Sequence, residues 1–293
     1  MTIRPDPIVA LLGLALAGTL ACRSRGAEVV VFHATSLTQA LGDAAELFER
    51  ENPPLRVRLE PSGSQLAARK VAELGLRADV VAVADAAIIE RVLVPGRASY
   101  ALAFATSEIV IAHKDHSRFT DEISTRSWPE ILLRPGVRLG RVDPDTAPLG
   151  YQTLLAWRLA ERSGAYGDLS SGLAARLAGL GEREQVVADE TELLGLLESG
   201  AIDYAFLYRS AAEDHHLKIT ALPPDQAAPS TCGLTIPAGA PSPTEARRFV
   251  ALLLGDKGRR ILERRGFRPL APARCAPCVH LPEELRPLVS SGP

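Results

Sequence analysis

The residues best placed to do chemistry sit at short junctions where an apolar run gives way to a helical pattern. They are His33-Ala34-Thr35-Ser36-Leu37, Pro61-Ser62-Gly63-Ser64, Pro148-Leu149-Gly150-Tyr151-Gln152 and Asp203 to Ser210. A helix N-terminus leaves backbone N–H groups without intrahelical acceptors, and such groups bind oxyanions. Four such corners on one chain predict a protein that holds a small oxyanion. Ser36 can donate through its hydroxyl and its N–H, or serve as a plain helix cap. Gly63 allows close backbone approach, and Ser64, or alternatively Ser62, adds a hydroxyl. Ala147, Leu149 and Gly150 offer N–H groups; Pro148 has none. Glu190 precedes a helix over Leu193–Leu197 and is expected to offer its backbone N–H alone, or to be a solvated capping residue. Tyr208 or Tyr204 supplies a phenol, or both are core tyrosines.

Catalytic chemistry has no comparable footing. The chain shows no Ser/His/Asp order, no metal-ligand quartet and no phosphate-loop motif, so neither catalytic residues, a metal nor a cofactor is expected. His215-His216 are adjacent and point apart on any regular element. The net charge of −2 gives no electrostatic case for nucleic acid. Arg69-Lys70, Arg247-Arg248, Arg259-Arg260 and Arg264-Arg265 read as solvated helix faces. Any anion site must therefore work through local dipoles rather than a basic field.

Residues 1–21 read as a signal peptide: Arg4, then an apolar run from Ile8 to Leu20 too short for a confident membrane span. Thr19-Leu20-Ala21-Cys22 resembles a bacterial lipoprotein signal, with Cys22 the lipidated residue. Export predicts an oxidising compartment and a disulfide among Cys232, Cys275 and Cys278, either within Cys275-Ala-Pro-Cys278 or from Cys232 to one of them.

The elements that must position these corners alternate. Glu28–Phe32, Leu55–Glu60, Arg77–Asp85, Glu108–Ala112, Val137–Leu139, Gln185–Val187, Tyr204–Phe206 and Leu234–Ile236 read as strands. Helical faces run between them, including Leu37-Leu41-Ala44-Ala45-Phe48, and two more follow over Thr244–Leu254 and Lys257–Arg265. That alternation predicts an α/β protein with mostly parallel sheets flanked by helices, followed by a Pro-rich tail after Phe267. At 293 residues there is room for two modest domains.

Val31-Phe-His-Ala-Thr-Ser-Leu37, Ser62 to Lys70, Arg77 to Asp85, Arg134-Pro-Gly136, Pro148-Leu-Gly-Tyr151, Ile202 to Ser210 and Leu281-Pro-Glu-Glu-Leu285 carry a resemblance to substrate-binding proteins of ABC importers. The chain is most similar to the molybdate/tungstate-binding family, in particular its archaeal-type tungstate-binding branch. The resemblance implies a two-lobed periplasmic-binding-protein fold of type II with the anion in the interlobe cleft. Lobe 1 would comprise residues 27–107 and 233–293, lobe 2 residues 108–232, with crossings near Ser107–Ala112 and Gly233–Pro237. It implies a monomer that binds a tetrahedral oxyanion through Ser36, Gly63, Ser64, Ala147, Leu149, Glu190 and Tyr208, and delivers it to a permease and its ATPase from a lipid anchor. Sulfate is the alternative ligand, and a sensor module the alternative role. The branch also carries a carboxylate just before the Pro-x-Gly-Tyr segment and another just before the site tyrosine. Ala147 and Leu207 stand there instead, so the resemblance implies a purely hydrogen-bonded dianion.

Overall fold

The computed structural model describes residues 28–227 and 229–291. The expected signal peptide and Cys22 lie outside the described residues.

The chain builds two sheets. The first contains β1 (Glu28–Ala34), β2 (Arg56–Ser62), β3 (Val80–Val83) and β4 (Tyr100–Ser107); the second contains β5 (Ile109–His113), β6 (Leu139–Val142), β7 (Glu184–Val187), β8 (Tyr204–Tyr208) and β9 (Lys218–Ala221). The chain then returns to the first sheet with β10 (Ser230–Thr235), β11 (Arg268–Cys278) and β12 (Val289–Ser291). The strand orders are β12-β11-β4-β10-β3-β1-β2 and β7-β6-β8-β5-β9. The helices are α1 (Thr38–Glu51), α2 (Ser64–Ala72), α3 (Ala86–Val92), α4 (Trp128–Leu133), α5 (Pro148–Ser163), α6 (Leu173–Ala178), α7 (Glu190–Glu198), α8 (Arg209–Asp214), α9 (Pro243–Leu254) and α10 (Asp256–Arg264).

The run Val29-Val30-Val31-Phe32 is apolar throughout because both faces of β1 are covered. Val29 and Val31 pack with Leu37, Leu41, Ala44 and Phe48 of the α1 side. Val30 and Phe32 pack with Ala67, Ala68 and Val71 of α2 and Ile88 and Ile89 of α3. Phe48 meets Phe249 of α9 edge to face, ring centroids 5.5 Å apart. In the second lobe Phe206 of β8 takes Trp128 and Trp157 edge-on at 5.8 and 5.6 Å, and both indoles are fully buried. Each such aromatic contributes about 1.5–3 kcal/mol by leaving water.

The sheets are mixed rather than mostly parallel. The antiparallel pairs arise where the chain changes lobes: β4 runs against β10 and β11, and β5 against β8 and β9. The strand β4, Tyr-Ala-Leu-Ala-Phe-Ala-Thr-Ser, was absent from the sequence reading because its alanines carry little β signal. The chain is back in the first sheet ahead of the expected Gly233–Pro237, since Ser230 already pairs with Ser107. The Pro-rich tail is likewise a strand, β11. Its ladder with β4 shifts register between Pro269 and Arg274 and between Cys275 and Cys278, as expected of prolines that cannot donate. Cys275 and Cys278 form the disulfide and Cys232 is a buried free thiol. Arg265 is no solvated residue: it bridges Asp43 of α1, at 2.8 Å, and Asp214 of α8, at 2.9 Å, tying the two lobes.

Candidate functional site

Four helix N-termini, two from each lobe, meet at one cavity. It is lined by Ala34, Thr35 and Ser36 before α1, Gly63 and Ser64 at α2, Ala147 to Leu149 at α5, and Asp189 and Glu190 at α7, with Ala84 and Tyr208 completing the wall. The seven residues expected from sequence all line this cavity. The corner at Asp203–Ser210 differs from expectation: only Tyr208 reaches the cavity, and the first N–H of α8, on Arg209, is bonded to Glu108 O at 2.9 Å. The fourth anion-type helix end belongs to α7 instead.

Local sequence explains each end. Ser36 lies in a 3-10 turn, Thr35–Leu37, that enters α1 without a side-chain cap, so its hydroxyl does not serve as the helix cap. Gly63 is the N-cap of α2. The buried Ser64 hydroxyl accepts the Ala84 N–H at 3.1 Å, which leaves its own proton to donate. Ser64 lines the cavity and Ser62 does not. Pro148 occupies the first turn of α5, where a missing N–H costs nothing. Gly150 has no alternative there: a Cβ would stand 2.5–2.6 Å from backbone atoms of Asp143 and Pro144. Asp189 caps α7 by accepting the Glu192 N–H at 3.0 Å. Among the described residues, the Ser36, Ser64, Leu149 and Glu190 N–H groups meet no protein acceptor.

The surroundings of three side chains bear on alternatives that the sequence leaves open. The Tyr208 hydroxyl donates to Gln152 Oε1 at 2.8 Å, so its proton is committed to α5 rather than to the cavity. Tyr204 is the core tyrosine, its hydroxyl donating to Arg118 O. Glu190 is not a solvated cap: it is 6% exposed, and its Oε1 is sealed from water without a protein partner. Burial pushes its carboxyl up to about 8; the Tyr208 backbone N–H opposes that shift and the Asp189 charge adds to it.

Sequence reasoning missed Asp189 and one cross-lobe contact. Tyr151 on α5 donates its hydroxyl to Asp85 Oδ2, while Asp85 Oδ1 caps α3 by accepting from the Ala87 N–H at 3.0 Å. In the sequence Asp85 reads only as the end of a strand, and nothing local links position 85 to 151.

Chemically, the cavity has hydroxyl and N–H donors, no lysine, arginine or histidine, and about 20 Å³ open to the centre of a water-sized sphere. A four-oxygen ion, with water-sized oxygens one bond length from its centre, suits such a space; a sugar or amino acid does not. Ala147 lines the cavity with a methyl group and Leu207 is fully buried opposite Val110, so neither ligates a metal centre.

Two lobes joined by crossing strands around a cavity of inward-facing helix ends define a solute-binding protein. Residues 29–268 match the bacterial extracellular solute-binding proteins, and the chain belongs to that family. It is 32% identical over 329 residues to the molybdate/tungstate-binding protein WtpA of Pyrococcus abyssi, covering 95% of this chain and 94% of that one. The fold is similar to the sulfate-binding protein SubI from Mycobacterium tuberculosis H37Rv, with TM-score 0.68 and 17% identity over 84% of this chain and 88% of that one. It is also similar to the periplasmic molybdate-binding protein of Azotobacter vinelandii, with TM-score 0.62 and 19% identity over 82% and 98%.

Proposed function

We propose that the protein is an extracytoplasmic receptor that captures molybdate or tungstate and delivers it to an ABC permease and its ATPase. The observation that carries this reading is the cation-free cavity itself. Four helix ends and the Ser36 and Ser64 hydroxyls surround a space the size of one tetrahedral ion. Oriented donors of this kind stabilise a buried dianion without a counter-ion, each helix end contributing about 0.3–1 kcal/mol and more when partly buried. The relatives named for molybdate and tungstate, matched along nearly their whole length, support this ligand over sulfate. With Ala147 and Leu207 at the positions discussed, the ion is held by hydrogen bonds alone. The receptor works as a monomer, without cofactor or catalysis, anchored through a lipidated Cys22. The lobes close on the anion by a hinge at the two crossings.

Isothermal titration of residues 23–293 with molybdate, tungstate, sulfate and phosphate tests this. Tight binding of the first two with weak sulfate is expected; preference for sulfate, or binding of none, refutes the ligand assignment. Mass spectrometry of the membrane-extracted protein tests the anchor, a diacylated or triacylated Cys22 being expected.

A further inference from the structure

Neutral hydroxyls and backbone N–H groups do not complete the inventory of this cavity. Glu190 is the one residue at its wall with a side-chain oxygen both buried and unpartnered. A carboxylate at this wall would bury its charge beside that of the bound anion, two like charges together. A carboxylic acid in the same place has a proton to give.

We propose that the Glu190 side chain is a ligand-contacting donor: a neutral carboxylic acid whose O–H hydrogen-bonds an oxygen of the bound oxyanion. This rests on the oxyanion-receptor reading above. The surroundings favour the neutral form. No cation lines the cavity, and the nearest charge, Asp189 at the α7 cap, is negative. From β8 comes the Tyr208 backbone N–H, whose effect on this carboxyl is downward and smaller than that of burial. The carboxyl's upward displacement to about 8 agrees with this arrangement. The Tyr208 phenol and the Cys232 thiol of β10 are held protonated by burial, the thiol up to about 12, so neither titrates near neutrality. Asp85 of the α3 cap is engaged by Tyr151. On β6 and β7, Arg141 and Glu184 pair at 2.5 Å. Glu192 receives the Ala188 N–H at 3.2 Å. Glu198 pairs with His215 at 2.7 Å, and these two, with Asp214 of α8, line the adjoining groove. The 3-10 turn before α1 and the first turn of α1 bring the uncharged Thr35, Ser36, Thr38 and Gln39 to that groove.

The consequence is linkage between proton and anion. Above the midpoint of the carboxyl, each anion bound takes up close to one proton from solvent, and affinity falls about tenfold per pH unit. Glutamine supplies a neutral donor of the same shape that does not titrate. The experiment is titration of the mature wild type, E190Q and E190A with molybdate, a dianion throughout pH 6.5–9.5. Proton uptake is read from the heat in two buffers of different ionisation enthalpy. Expected are a falling wild-type affinity above about pH 8 with uptake rising towards one proton, an E190Q affinity that does not change with pH, and a loss of about tenfold or more in E190A. Because E190Q keeps His215, a slope that survives in E190Q assigns the titration elsewhere and overturns the proposal. So does wild-type binding with no proton uptake at pH 9. A wild type that binds none of the four anions at any pH overturns the receptor reading as well, and so is distinguishable from failure of the Glu190 role alone.

Discussion

Replacing Tyr151 by Phe removes one bond that exists only when the lobes are together. Tyr151 lies on α5 of the second lobe and Asp85 follows β3 of the first, so the phenol-to-carboxylate bond spans the cleft beside the cavity. A hydrogen bond to a charged group contributes about 1.5–3 kcal/mol; with both partners partly exposed here, about 1–2 kcal/mol is the appropriate range. The substitution leaves the α3 cap intact, because Asp85 Oδ1 still receives the Ala87 N–H. It also leaves every cavity-lining residue in place. The loss therefore falls on the closed state alone, and apparent affinity drops by the same factor as the closed population, about 5- to 30-fold. The dissociation rate should rise by most of that factor, since the bond forms after encounter. Stopped-flow release of molybdate into excess chelator, alongside calorimetry, measures both, and D85N provides the matching perturbation from the other side. Affinity in Y151F within twofold of wild type, with unchanged release, would refute the cross-lobe latch.

Three further outcomes follow from the same geometry. Ser36→Ala should weaken molybdate binding about tenfold or more and leave the melting temperature unchanged, whereas Ser64→Ala should also lower it by several degrees, because the Ala84 N–H loses its buried acceptor; calorimetry and thermal melts of both variants separate the two. Gly150→Ala forces a methyl into the Asp143–Pro144 backbone, so a destabilisation of about 1–3 kcal/mol and a displaced Leu149 N–H are expected, read as a lower denaturation midpoint together with weaker binding. In the ligand-free protein, the folded-state carboxyl of Glu190 lies above its ordinary value of 4.5, at about 8, so the folded state holds the extra proton between those values. Its contribution is complete below that window and is lost as pH rises through it, about 1.4 kcal/mol per pH unit; wild type should therefore lose stability relative to E190Q from pH 5 to 8 in urea melts, and equal slopes would contradict the burial argument.

The corners that build the cavity were legible because each is written locally. A strand run ending in Ser, Gly or Pro and opening into a helical period names its own helix end, and Ser36, Ser64 and Leu149 could be found without tertiary knowledge. Side-chain destinations were not local. Whether Tyr208 gives its proton to a ligand or to Gln152 depends on α5 lying across the end of β8. Whether Glu190 is solvated depends on the first lobe closing over α7. The strands β4 and β11 were missed for complementary reasons: alanines in one and prolines in the other carry weak or contrary β signals, and pairing with β10 and with each other overrides both. Arg265 read as part of a solvated helix face because its two aspartates, at 43 and 214, are distant in sequence.

The charge balance of the cavity ties these observations together. An anion site usually gains strength from a cation, yet this one has Asp189 and Glu190 at its wall and no base. Asp189 is tolerable because its carboxylate is turned to the Glu192 N–H, where it caps α7 and is stabilised by the helix it starts. Glu190, one residue on, has no such outlet, and burial beside an anion drives it to the neutral form. The wall then presents donors only: N–H groups, two serine hydroxyls and an acid proton. Such a wall discriminates by the number and spacing of ligand oxygens, because an ion too small to reach all the donors leaves some of them buried and unmet. Selectivity between four-oxygen ions then becomes a matter of size, set by how closely the Tyr151–Asp85 and Arg265 contacts let the lobes approach.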